Sequence, residues 1–154
     1  MKLYLPLLFV AIALFGAACS QQEQEKDPIL TEYYNLKDAL VATDAVKAKT
    51  TASALAATAS TTPGMNLVAD YANTIAETDN IEAQRETFEI LSMSIYEVLT
   101  EENAHVETVY VQYCPMAFDN KGAFWLSNNK EIFNPYFGDK MLKCGVVKET
   151  LSAL

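Results

Sequence analysis

The sequence predicts a mainly α fold: an antiparallel helical bundle followed by a short C-terminal strand and turn and a final helix. Three observations carry this. Residues 29–59 are rich in Ala, Leu and Lys and hold neither Gly nor Pro, a composition with high helix propensity. Phe88, Leu91 and Ile95 recur at three- and four-residue steps, the period of one buried helix face. From Val109 to Tyr113 the pattern changes to β-branched and aromatic residues in alternation, which suits a strand.

The elements follow in order. Lys2 precedes an apolar run from Leu3 to Phe15 broken only by Pro6. That is the length of a secretory h-region and short of the roughly 20 residues a membrane span needs. Small residues Gly16-Ala17-Ala18 come next, directly before Cys19. This resembles a bacterial lipoprotein box, in which the cysteine is acylated; an ordinary signal peptide cut at an alanine is the alternative. Residues 1–18 are thus read as a lipoprotein signal peptide, Cys19 as the lipidation site, and the polar residues 19–28 as a tether. Residues 29–154 are read as one domain.

Asp27 can cap and Pro28 can open a helix, predicted to run from Ile29 to Ala59 with Leu36, Leu40, Val41, Val46 and Leu55 as its apolar stripe. Thr61-Thr62-Pro63-Gly64 breaks it. A second helix is expected over Met65–Glu77, where Leu67, Val68, Tyr71 and Ile75 keep helical spacing. Asp79 or Asn80 can cap a third, Ile81–Leu99. Arg85 shares a side with Phe88 and is expected to pair with Glu82, Glu89 or an acid of the first helix rather than to hold an anion. A strand over Val106–Tyr113 puts Val109, Val111 and Tyr113 on one face and Tyr110, Gln112 and Cys114 on the other. Pro115 ends it, Phe118–Gly122 reads as a turn, and Ala123–Ser127 as a short extended piece. Asn134-Pro135 is expected to open the final helix and Gly145 to cap it after Cys144, so that Met141 and Cys144 share a face.

The whole chain carries a formal charge of −9, with 11 basic and 20 acidic side chains; loss of Lys2 with the signal leaves 10 against 20, or −10. Such a balance disfavours nucleic acid and anionic headgroups as partners. An extracytoplasmic address permits disulfides, and acylation of Cys19 leaves two thiols, Cys114 and Cys144.

Those two cysteines each have a methionine close by, in Cys114-Pro115-Met116 and Met141-Leu142-Lys143-Cys144. Thiolate and thioether are soft ligands that select Cu(I) over harder cations. Zinc usually recruits histidine or more cysteines, and the sole histidine is His105. The alternative is a Cys114–Cys144 disulfide, worth about 3–4 kcal/mol in the chain-entropy model, with both methionines as core filler. From the residues alone both readings stand. An enzyme is not expected: the sequence has no Cys/His pair at an interpretable spacing, no Gly-rich phosphate loop and no Cys-x-x-Cys pair.

Three stretches carry a resemblance: Val109-Tyr110-Val111-Gln112-Tyr113-Cys114-Pro115-Met116-Ala117, Gly122-Ala123-Phe124-Trp125-Leu126-Ser127, and Asn134-Pro135-Tyr136-Phe137-Gly138-Asp139-Lys140-Met141-Leu142-Lys143-Cys144-Gly145. With Tyr34–Leu40, Asp44 and Gln84–Phe88 they resemble a bacterial domain of unknown function, found alone in secreted lipoproteins and fused to copper and silver efflux membrane-fusion (adaptor) proteins. The Cys-Pro-Met piece also resembles the Cys-Pro-Met-His-Pro of small heavy-metal-binding domains, with Ala117-Phe118 where His-Pro would stand. Ser20 after the lipidated Cys19 carries no retention signal, which favours the outer membrane for a lipid-anchored protein facing the periplasm, and the resemblance adds that it binds Cu(I) or Ag(I) and assists a heavy-metal efflux complex. Cys114, Met116, Met141 and Cys144 would be the ligands, and Tyr113 and Trp125 would shield the site. The other reading is a non-metal envelope interaction module stapled by Cys114–Cys144.

Overall fold

The computed structural model describes residues 26–102 and 107–153. The signal peptide, Cys19, most of the tether and His105 lie outside the described residues. The described residues form four long helices, α1 (Pro28–Val41), α2 (Ala45–Ser60), α3 (Asn66–Ala76) and α4 (Ile81–Glu102). A three-stranded antiparallel sheet follows, built from β1 (Val109–Cys114), β2 (Ala123–Ser127) and β3 (Val146–Leu151) in the order β2-β1-β3. Each helix packs against the next, and α4 lies against β2. Among the described residues no helix is long and apolar enough to cross a membrane.

The starts of α1 and α4 are those the sequence signals. Asp27 accepts from the N–H groups of Ile29 (2.7 Å) and Leu30 (3.2 Å), satisfying two of the orphan donors at the helix end. Asn80 does the same for Glu82 and Ala83 at the start of α4. Phe88, Leu91 and Ile95 are fully buried, so the stripe of α4 faces the core. Leu67 and Val46, by contrast, are exposed.

The segment expected as one helix over Ile29–Ala59 is two. The chain turns at Ala42-Thr43-Asp44, where Thr43 is left-handed (φ 57°) and Asp44 caps α2 through the Lys47 N–H at 2.9 Å. The guanidinium of Arg85 fixes this break from the side. It is 2% exposed, and its Nη2 donates to Leu40 O (3.2 Å) and Thr43 Oγ1 (3.0 Å). Its Nε donates to Pro135 O at 2.8 Å, and its Nη1 pairs with Glu82 at 3.2 Å. One side chain therefore ties the end of α1 and the C-terminal loop to α4, and the planar five-donor fork is suited to it.

The expected final helix over Pro135–Cys144 is not formed. The segment is a loop whose one regular piece is a single 3₁₀ turn, Gly138–Met141, so Met141 and Cys144 do not share a helical face. Asn134 supplies the physical reason. Its Oδ1 accepts from the N–H groups of Tyr136 (2.8 Å) and Phe137 (3.2 Å), while its Nδ2 reaches across to Cys144 O (2.7 Å). That closes a loop instead of propagating i→i−4 bonds. Gly138 sits in this loop at φ 57°, where a Cβ would run into Thr43 Oγ1 and the Arg85 guanidinium. After Gly145 the chain forms β3, a third strand absent from the expected fold. It pairs with β1 (Val109↔Leu151, Tyr113↔Val146) across an irregularity at Val111/Gln112.

β2 is an edge strand, and two of its outward backbone groups are met by tyrosine hydroxyls rather than left open. The Leu126 N–H donates to Tyr33 Oη at 3.0 Å, and Tyr136 Oη donates to Phe124 O. Ser92 Oγ donates to Phe88 O at 2.7 Å, so Tyr33 must donate its own proton to Ser92 Oγ, also at 2.7 Å. Burial raises the pKa of both phenols above the ordinary tyrosine value, which keeps them neutral donors. Through these contacts the sheet joins the core of the helices, and Tyr33, Phe88, Tyr136 and Trp125 form a continuous aromatic chain.

Candidate metal centre

β1 and the loop 134–145 bring the two thiols together. Cys114 closes β1, paired with Ala123, and is fully buried. Cys144 is partly exposed and approaches from the far side of the Asn134 loop, with its Sγ 2.9 Å from Cys114 Sγ. Its backbone is held twice: its carbonyl by Asn134 Nδ2, and its N–H by Met141 O at 3.0 Å. Gly145 lets the chain leave the turn. Its φ is 149°, and a Cβ there would crowd Trp125 Cη2 and Tyr113 O.

The pairing shapes the chemistry of the thiols. The Cys144 pKa is raised to about 11, first by its hydrogen bond to Cys114, then by burial and by the charge a Cys114 thiolate would carry. Cys144 therefore keeps its proton at neutral pH, and a cation that binds its sulfur has to displace that proton. Two sulfurs from segments 30 residues apart can do two things here. They can hold a soft cation, or they can join covalently.

The methionines take a different place. Met116, 47% exposed, lies after β1 and directly before the turn Ala117–Asn120, and Met141 ends the 3₁₀ turn. Both line one cleft of about 490 Å³ with Arg85, Phe118, Tyr136 and Lys140, among others, and neither cysteine is among its lining residues. Of the four sulfurs expected at one point, the two thiols are in contact, and the two methionines instead line a cleft that neither cysteine lines. Trp125 is fully buried with its ring edge against Gly145, the residue after Cys144. Strand alternation turns Tyr113 to the face opposite Cys114. Its hydroxyl reaches the position where a Cβ of Gly122 would be, and Lys148 Nζ lies 5.3 Å above its ring. Among the described residues no three His, Cys, Asp or Glu side chains gather in a metal-sized group.

Two features of the site were not foreseen. Asn134 positions Cys144, yet Asn-Pro reads in sequence as a helix opening. Phe118, Asp119 and Asn120 are successively left-handed (φ 50°, 57° and 66°). Asp-Asn is a signal for that conformation, whereas a phenylalanine beside it is not.

No curated protein and no solved structure matches the chain. A family model described as "Protein of unknown function (DUF3347)" matches residues 29–106, which holds all four helices and stops before β1. The thiols and the cleft methionines therefore lie on the part of the chain beyond the match. Half of the sequence is covered, and the chain belongs to this family of unknown function.

Proposed function

We propose that this protein is an extracytoplasmic lipoprotein whose Cys114–Cys144 pair binds Cu(I) or Ag(I) and assists heavy-metal handling or efflux, without enzymatic activity. The four helices, read as an antiparallel bundle, are the rigid body that holds the sheet and the Asn134 loop in register. One observation carries the reading: two thiols distant in sequence, one buried and one reachable from solvent, are in contact at the end of a strand. A soft monovalent ion entering from the Cys144 side displaces the proton of each thiol to solvent and is held by two thiolates, whose softness excludes Mg(II) and Ca(II). The N-terminal lipid tethers the domain to the envelope, where an efflux complex is its partner.

The same contact supports a second reading, a non-metal interaction module stapled by a Cys114–Cys144 disulfide. Counting thiols and copper on protein isolated from the envelope without reductant separates the two. Two free thiols with near-stoichiometric copper support metal handling. No thiols and no copper would favour the staple.

A further inference from the structure

We propose that Met116 and Met141 form a second soft-cation site, made of thioethers alone, that takes Cu(I) or Ag(I) whether the cysteines are reduced or oxidised. This rests on the soft-metal reading of the thiol pair and adds to it a separate station with different redox behaviour.

The first support is the separation itself. Met116 and Met141 come from different segments and line one cleft that neither cysteine lines. Met65, in the core, is 7% exposed, whereas Met116 is left 47% exposed, so its side chain is not serving as core filler. The turn that follows it is also held at a cost. Left-handed backbone costs about 1–2 kcal/mol per L-residue, and Phe118-Asp119-Asn120 adopt it in succession. Fixing that turn limits where Met116 can go, which reduces the ordering cost of capturing an ion. On the other segment, Met141 O accepts the Cys144 N–H, so its backbone is fixed too.

The charges in the cleft do not oppose a monovalent cation. Arg85 is paired with Glu82 and spends its remaining contacts on Leu40 O, Thr43 Oγ1 and Pro135 O. Lys140 and Asp119 also line the cleft with opposite charges, so with Arg85 and Glu82 its charged lining is formally neutral. Selection then falls to ligand softness, and two neutral thioethers favour Cu(I) and Ag(I). Thioethers also cannot be lost to a disulfide; only oxidation to the sulfoxide removes them. A protein exposed to an oxidising compartment would keep this site when the thiol pair is closed.

The test uses the mature chain, labelled at its methionine methyls and oxidised with glutathione disulfide so that Cys114 and Cys144 are joined. Ag(I) is titrated and the methyl resonances are followed. The Met116 and Met141 methyls are expected to shift together and saturate at one Ag(I), with Met65 and Met93 unmoved. Met116→Leu should abolish the Met141 shift and weaken binding by about tenfold or more, as loss of one arm of a chelate does. Met93, 40% exposed and outside the cleft, is the internal control. Equal shifts at Met93 and Met116 would mean adventitious binding by exposed thioethers and would overturn the proposal. So would a Met141 methyl that never moves. The thiol reading is judged separately on reduced protein, where its failure appears as unchanged copper affinity in Cys114→Ser/Cys144→Ser.

Discussion

The side-chain amide of Asn134 donates to the backbone carbonyl of Cys144 at 2.7 Å. Asn134 is fully buried, so this bond is made away from water, and the same side chain also accepts from Tyr136 and Phe137. Asn134→Leu would leave three backbone groups unpaired; a buried group left so costs about 1–3 kcal/mol. Asn134→Asp keeps both acceptor contacts but cannot donate to Cys144 O while ionised. We expect both variants to lower the denaturation midpoint, and Asn134→Asp to slow closure of the Cys114–Cys144 pair by oxidised glutathione. Closure at the wild-type rate would show that Asn134 does not position Cys144.

Copper affinity should rise with pH. The Cys144 thiol is held up to about 11 by its contact with Cys114, so at neutral pH it is protonated and an incoming ion must expel that proton. Each proton released raises the apparent affinity about tenfold per pH unit below the thiol pKa. Chelator competition at pH 6.5, 7.5 and 8.5 measures the slope. A flat profile would mean that the bound ion displaces no thiol proton. The same raised pKa favours the folded state while the thiol is protonated. That contribution is full below the unfolded thiol value near 9 and fades as pH rises towards about 11.

Tyr33→Phe should weaken the junction between helices and sheet. Tyr33 Oη accepts the outward N–H of Leu126 on the edge of β2 and donates to Ser92. Without the hydroxyl that N–H has no partner, at a cost of about 1–3 kcal/mol, whereas Ser92 keeps its own bond to Phe88 O. A lowered thermal midpoint with unchanged helical circular dichroism is the expected result, and an unchanged midpoint would contradict the assignment. In the wild type, burial raises the pKa of Tyr33 and Tyr136, so their phenolate absorbance should appear only on unfolding.

The helices were legible in the sequence wherever a local rule sufficed. Asp27 and Asn80 cap as their positions suggest, and Phe88, Leu91 and Ile95 face inward. The break at Thr43 was not legible, because no Gly or Pro marks it. It is held by Arg85, 42 residues away. The Asn134 loop misled for the opposite reason. Pro135 and Gly145 stand where a helix would begin and end, and the Asn134 side chain overrides them from within. β3 carries exposed Lys148, Glu149 and Thr150, so its alternation is too weak to announce a strand. For the site, residue chemistry pointed to Cys114 and Cys144. The placement of the methionines depends on the left-handed turn and the 3₁₀ turn, which only the folded chain reveals.

Membrane placement has a simple test. The small residues before Cys19 resemble a lipoprotein processing site, so Cys19→Ala should move the protein from the membrane to the soluble fraction. Retention in the membrane with an unchanged N-terminus would contradict lipidation at Cys19.

The thiol pair itself is tested most directly by competition with a Cu(I) chelator under reducing conditions, comparing wild type with Cys114→Ser/Cys144→Ser. Thiolates bind Cu(I) more strongly than hydroxyls or thioethers. Wild type is therefore expected to retain one Cu(I) at chelator concentrations that strip the double variant, while Met116→Leu/Met141→Leu stays close to wild type. Equal retention by wild type and the cysteine variant would contradict a metal role for Cys114 and Cys144.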